Sequence, residues 1–377
     1  MPIQELLFEL LRIAIGSQEY LLYTPTADEW KELFHLAEKH ALVGVCFAGL
    51  QRLDTPEQRP PQKLLYQCIG IGQQIQERNK TINRQCLTLQ RRLQKDGFCW
   101  CLLKGQGNAM MYGRIDPQLA LLRQPGDIDI WVEGGFESIM RYVQSISPTD
   151  EVNEQHVHLG VFHDTEVEVH FTPSKLANRW RDSKLQKWFA KEADRQMNHS
   201  VAFEDGEVSI PTVDFNLVYQ MLHVYRHLFS EGIGLRQLMD YYVLMTTNAL
   251  TYEDCDYVRQ QVSHFGMKRF AAALMWVLGH VFSLEETMMP WKPDERGGRF
   301  LLDEVMQMGN FGHSDQRFRL NSNDSHLHRY WLMVKSKWRF IRYFPNETLW
   351  QPIDTFIRFF ELRKLRFEAR KASSAKY

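Results

Sequence analysis

The sequence predicts an α+β fold: a small mixed sheet in the middle of the chain, flanked by N- and C-terminal helical segments. Three observations predict it. Apolar residues recur at three- and four-residue spacing before residue 95 and again after 209, which is the spacing of a helix face. Between them, GFCWCLL at 97–103 and GDIDIWV at 126–132 are short apolar runs that suit buried strands. HVHLGVF at 156–162 and EVEVHF at 166–171 read as a third and fourth strand. The expected division is 1–95 helical, 96–208 α/β core and 209–377 helical.

Each element follows in order. DEWKELFHLAEKHALVGVCFAGLQRL places Trp30, Leu33, Phe34, Ala37, Ala41 and Leu42 on one helix face. RPPQ at 59–62 is a break, and a long helix is expected over about 63–95. His163-Asp164-Thr165 suits a hairpin loop between the third and fourth strands. LVYQMLHVYRHLF, RQLMDYYVLMTT and RFAAALMWVLGHVF carry helical periodicity. Residues 309–326 are polar and read as a loop, and a last helix spans 350–372, with Pro352 in its first turn.

Composition excludes several classes. The chain has 377 residues, enough for two or three domains at roughly 100–200 residues each. Apolar residues make up 44% and charged residues 24%, which excludes a mostly disordered chain. Lys plus Arg number 45 against 46 Asp plus Glu, a net of −1, which argues against a whole-surface nucleic-acid binder. No run approaches the roughly 20 apolar residues of a membrane helix. MPIQELLFELLRIAIG carries Glu5 and Glu9 and no basic leader, so it reads as an amphipathic helix rather than a signal peptide. Six scattered cysteines without a C-x-x-C pair suit buried thiols and a cytoplasmic setting.

The strongest chemical signal is Gly126-Asp127-Ile128-Asp129-Ile130. Strand alternation points Asp127 and Asp129 one way and the isoleucines the other. Two like charges on one face repel and lose hydration unless a cation joins them, and hard divalent cations take oxygen ligands. The alternative is a solvent-facing edge strand on which both acids are harmless. EVEVHF sets Glu166, Glu168 and His170 on one face, a further carboxylate source for a two-metal phosphoryl-transfer site. Upstream, CWCLL runs into Lys104-Gly105-Gln106-Gly107 and a short helix, a turn whose backbone N–H groups can hold phosphate.

CLLKGQGNAMMY, LLRQPGDIDIWV and VEVHF together resemble the nucleotidyltransferase superfamily that includes DNA polymerase β and the minimal nucleotidyltransferases. They look most like a bacterial branch with an LLKG turn, an arginine four residues before a DID strand, and an E-x-H strand. The helical stretch with His223, His227, Gly234, Arg236, Gln237 and Asp240 extends the likeness. The resemblance implies Asp127, Asp129 and Glu168 as ligands for Mg²⁺ (or Mn²⁺). It implies an NTP as substrate, and Glu168, or less readily Glu166, as the base for an acceptor hydroxyl. Lys104, Gly105, Gln106 and Arg123 would serve the triphosphate. Gln106 stands where the superfamily usually has serine, and 114–125 reads as an inserted loop near the nucleotide.

Other readings stay open. A catalytically degenerate domain would bind a nucleotide without transferring it. His156 and His158, with His170, could be zinc ligands of a hydrolase or hydrogen-bonding neighbours of the carboxylates. His223 and His227 share a helix face and suit cleft-lining or buried roles, and Asp240 with Arg236 suits a surface or interdomain ion pair. Residues 329–377 hold 12 Lys or Arg against 4 Asp or Glu, interleaved with aromatics. That segment is either a solvated face or a platform for an anionic partner.

Overall fold

A computed structural model describes residues 2–149, 151–312, 315, 317 and 325–374. The order begins with helices α1 (Ile3–Ile15), α2 (Ala27–Lys39), α3 (Val43–Gln51) and α4 (Gln62–Lys95). The central region runs β1 (Trp100–Leu102), α5 (Gln106–Tyr112), α6 (Pro117–Leu122), β2 (Ile128–Val132), α7 (Gly135–Ile146), β3 (His156–His158) and β4 (Val167–His170). Helix α8 (Arg179–Met197) and a hairpin of β5 (Ser200–Phe203) and β6 (Gly206–Ser209) follow. The chain then continues through α9 (Val213–Phe229), α10 (Leu235–Thr246), α11 (Tyr252–His264), α12 (Lys268–Phe282) and α13 (Glu295–Met308). It closes with α14 (His326–Trp338), α15 (Pro345–Thr348) and α16 (Gln351–Ser374). Among the described residues no helix is long and apolar enough to cross a membrane. The fold is α+β, as its sequence predicts.

The sheet order is β1-β2-β4-β3, with β2 and β4 parallel and both outer pairs antiparallel. Its two faces differ. Ile128, Ile130, Val132, Val167 and Val169 are buried in one apolar cluster with Ile82, Cys86, Leu89 and Leu93 of α4 and Ile139, Met140 and Val143 of α7. The opposite face carries Asp129 and Glu168, then turns aromatic at Trp131. Trp131 stacks on Phe215 of α9 at 6.0 Å, and Phe215 stacks on Trp188 of α8 at 4.5 Å. Strand alternation therefore puts the acids and the aromatic dock on one surface, so the helices cover the acids from beyond Trp131.

Helices from both ends of the sequence share one apolar cluster that reaches from Leu6 to Phe344. Arg12 of α1 donates to the Val281 carbonyl of α12 at 3.0 Å. α1 is buried on nearly every face rather than amphipathic, and Glu9 survives there by accepting the Leu22 N–H at 3.0 Å.

Several local expectations are corrected. The single helix read across 28–53 is two, because Ala41 adopts a left-handed φ of 56° and stops α2. The inserted loop at 114–125 contains α6, capped by Asp116, which accepts the Gln118 N–H at 3.0 Å. The link between β3 and β4 is longer than His163–Thr165, since regular pairing ends at His158 opposite Glu168. Arg78 of α4 ties this link down through Asp164 at 2.8 Å. The β5–β6 hairpin was read as part of no strand. Cys99 is exposed, while Cys46, Cys68, Cys86 and Cys101 are buried. Of the stretch 309–326, residues 313, 314, 316 and 318–324 lie outside the described residues.

α3 meets α6 where Gly44 faces its end. A Cβ on Gly44 would stand 2.0 Å from the Leu122 carbonyl oxygen. Gly44→Ala should therefore cost about 1–3 kcal/mol, read as a lower urea midpoint at unchanged slope.

Candidate active site

Asp129 is the centre of the polar sheet face. It lies beside Glu168 across the parallel β2–β4 pair, and its side chain is 1% exposed. Lys104, just beyond β1, reaches Asp129 Oδ1 with Nζ at 3.0 Å. His170 Nε2 lies 3.0 Å from the same oxygen and 3.3 Å from Glu168 Oε2. Asp129 Oδ2 is buried with no hydrogen-bond partner among the described residues. Asp127 precedes β2 and opens on the same cleft.

The turn after β1 brings Lys104 there. Gly105 has φ of 60° and ψ of −109°, and a Cβ on it would lie 3.4 Å from the Asp127 carbonyl oxygen. A side chain would be strained at that φ, so glycine allows the sharp reversal that aims Lys104 at Asp129.

α9 and α10 roof the cleft with Tyr219, His223, Arg236 and Asp240. The strap before Asp127 is fixed at three points. Asn79 of α4 donates to the Arg123 carbonyl at 2.9 Å, Arg236 donates to the Gln124 carbonyl at 2.9 Å, and the Arg123 guanidinium grips Asp240 by two bonds of 2.7 Å. Asp240 also accepts from Tyr112 at 2.8 Å and Asn108 at 3.2 Å. Its satisfied lone pairs make this buried pair tolerable.

The structure brings Lys104, Gly105, Asp127 and Asp129 into one cleft, with Glu168 and His170 adjoining Asp129. Arg123 reaches the cleft wall, but its guanidinium is committed to Asp240. The Gln106 side chain turns away, toward Asn79 and Asn83 of α4. Glu166 stands exposed ahead of β4, outside the cleft lining. His156 and His158 lie on the edge strand beside Glu168. Asp240 is buried rather than at the surface, and it meets Arg123 from 117 positions away. His223 lines the cleft, one of the roles its sequence suits, while Arg236, expected to pair with Asp240, donates to the Gln124 carbonyl, and Tyr219 is a cleft residue that the sequence does not mark.

A family model described as an uncharacterised nucleotidyltransferase matches residues 26–283. The chain belongs to that nucleotidyltransferase family. The match spans the sheet, the cleft and the roofing helices, so membership assigns the chain to the nucleotidyl-transfer class and implies an NTP substrate. Comparison with curated proteins and with solved structures gives no match.

The electrostatics of this nucleotidyltransferase cleft are divided. Burial opposes ionisation of Asp129, but Lys104 and the His170 bond outweigh it and hold its carboxyl below the usual range. Asp127 is pushed up, first by the charge of Asp129 and then by burial. Glu168 is pushed up by burial, then by Asp129. Burial also opposes charge on Lys104, and Asp129 and Asp127 more than compensate. His223 is driven well down by burial and by Lys104, so it is neutral at pH 7. Asp127 and Asp129 thus offer carboxylate oxygens, the donor type a hard divalent cation takes, and Asp129, Glu168 and His170 bring ligand atoms within 4.8 Å of one another.

These shifts set opposite stability signs. A carboxyl raised in the fold loses stabilisation as pH rises through its folded pKa, so ionised Asp127 destabilises the metal-free protein at neutral pH. Asp127→Asn should raise metal-free stability by about 1 kcal/mol in urea unfolding. Asp129, held low, contributes stability above its unfolded pKa and loses it as pH falls through its folded one. Asp129→Asn strands Lys104 and should cost about 3–5 kcal/mol, as should Asp240→Ala by stranding Arg123. Equal effects of Asp127→Asn and Asp129→Asn would contradict this division.

Proposed function

We propose that the chain moves a nucleoside monophosphate from an NTP onto an acceptor hydroxyl of a sugar, small molecule, protein or RNA. One observation carries this reading: Asp127 and Asp129, whose Oδ2 has no hydrogen-bond partner among the described residues, line a cleft that also presents Lys104 and Arg236. Asp127, Asp129 and Glu168 would hold Mg²⁺ or Mn²⁺, which supplies the positive charge that the triphosphate and departing pyrophosphate need. Lys104 keeps Asp129 ionised and adds cationic charge at the cleft wall. Gly105 keeps the turn close to the Asp127 backbone. Arg123 acts at one remove, by fixing the strap that carries Asp127 against α10.

The acceptor oxygen attacks the α-phosphorus, the bond to pyrophosphate breaks, and the acceptor proton passes to Glu168. Its raised pKa suits Glu168 to that proton better than a freely ionised carboxylate. Transfer should therefore fall as pH drops through the raised range of Asp127 and Glu168, since both must be ionised to serve. We assign a cytoplasmic setting on the free cysteines, of which four are buried.

The C-terminal segment adds an anionic partner to the reading. Arg339 pairs with Glu304 at 2.8 Å and Arg358 with Glu154 at 2.6 Å, so part of its basic charge serves the fold. Trp331, Trp338, Phe356, Phe359 and Phe360 nevertheless stand exposed on α14 and α16, and Arg363 lies over Phe359 at 4.6 Å. Polyanion binding through this face should weaken steeply with added salt; binding indifferent to salt contradicts it.

The decisive variant for the cleft is Asp127→Asn, because it leaves the Lys104–Asp129 pair intact. Labelled NTP should bind the wild type only with Mg²⁺ or Mn²⁺, and the variant should bind more than about 100-fold more weakly. Unchanged binding by the variant overturns the reading. Metal-dependent binding without transfer to any acceptor class supports a degenerate nucleotide-binding module.

A further inference from the structure

Beyond the carboxylate cleft, the edge of the sheet carries a donor set of different chemistry. His156 and His158 are two apart on β3, so both imidazoles project from one face. The antiparallel register sets His156 opposite His170 and His158 opposite Glu168. His156 Nδ1 lies 3.1 Å from Glu168 Oε2. One ligand atom from each of His156, His158 and Glu168 falls within 4.8 Å of the others, and all three side chains are half-buried. β3 is the outer strand of the sheet, and the 151–153 segment runs along its outer edge through the Val152–Val157 bridge.

We propose that His156, His158 and Glu168 form a site for a transition-metal ion of the zinc class, distinct from the all-oxygen pair of Asp127 and Asp129. Two imidazoles and one carboxylate are a donor set that Zn²⁺ prefers and Mg²⁺ does not. Exposed Glu151, with Oε2 3.7 Å from His158 Nδ1, borders the site as a fourth donor, an oxygen. The Asn153 amide donates to His156 Nε2 at 2.7 Å, which places the ring proton on Nδ1 toward Glu168, so ligation by His156 displaces one of these two bonds. His170 bonds Glu168 from the other side. The trio differs from the one read in the sequence. His170 is turned to Asp129 and Glu168 and is buried, and Glu168 takes its place. Glu168 thus belongs to two donor sets, and an ion on the histidines draws it away from Asp129. Zinc-class ions at this edge would regulate how far Glu168 is available to the cleft.

The test uses the metal alone, without nucleotide. Zn²⁺ is titrated calorimetrically into full-length protein stripped with chelator, and Co²⁺ serves as a visible probe of nitrogen ligation. The wild type should bind one equivalent. His158→Ala should weaken binding more than about 10-fold, whereas Asp127→Asn should leave it within about twofold. His158→Gln is the second variant, and thermal unfolding confirms that each protein is folded. No saturable binding by the wild type overturns the proposal, as does binding of wild-type strength by both His158 variants. Loss of binding in Asp127→Asn also overturns it, because it puts the ion on the carboxylate pair.

Discussion

A buried carboxylate held ionised by its neighbours organises this protein. Asp129 sits in the middle of a strand, inside the fold, where an uncompensated charge would be prohibitive. Lys104 and His170 both approach one of its oxygens, and the other has no hydrogen-bond partner among the described residues. Much of the surrounding structure serves that arrangement. The left-handed turn at Gly105 delivers Lys104, the parallel β2–β4 register sets Glu168 alongside, and Trp131 docks the helices that keep the face dry. Asp127, two residues away, bears the repulsion.

A second buried pair makes the cleft from two distant parts of the chain. Arg123 lies on the strap before Asp127, and Asp240 lies on the roofing helix α10. Their bidentate bond, with Tyr112 and Asn108 completing the lone pairs of Asp240, fixes where the roof stands over the acids. The cleft is thus assembled by charge and hydrogen bonding, while the aromatic stack of Trp131, Phe215 and Trp188 supplies the apolar part of the same seam.

The legible parts of the sequence were those governed by local periodicity. Alternation in GDIDIWV and EVEVHF located two strands, their apolar face and the acids on the other face. The LLKG turn located the lysine. Features set by partners far along the chain were not legible. Nothing near Arg123 announces Asp240, and nothing near Gln106 shows that its side chain belongs to Asn79 and Asn83 rather than to the cleft. Tyr219 reads as an ordinary helix residue until α9 and α10 are laid across the sheet, where it joins His223 and Arg236 over the acids. The break at Ala41 escaped notice because its neighbours keep helical spacing on both sides. The short α6 lies in a stretch bracketed by Pro117 and Pro125 whose length suggests an inserted loop.

We propose that Asp127 and Asp129 together hold a hard cation at the triphosphate. Anomalous diffraction from crystals grown with Mn²⁺ and a non-hydrolysable NTP analogue addresses it directly. The account predicts a manganese peak bonded to Asp127 and to Asp129 Oδ2, with the triphosphate in the cleft under Arg236. A cleft without manganese, or a triphosphate bound elsewhere, would contradict it.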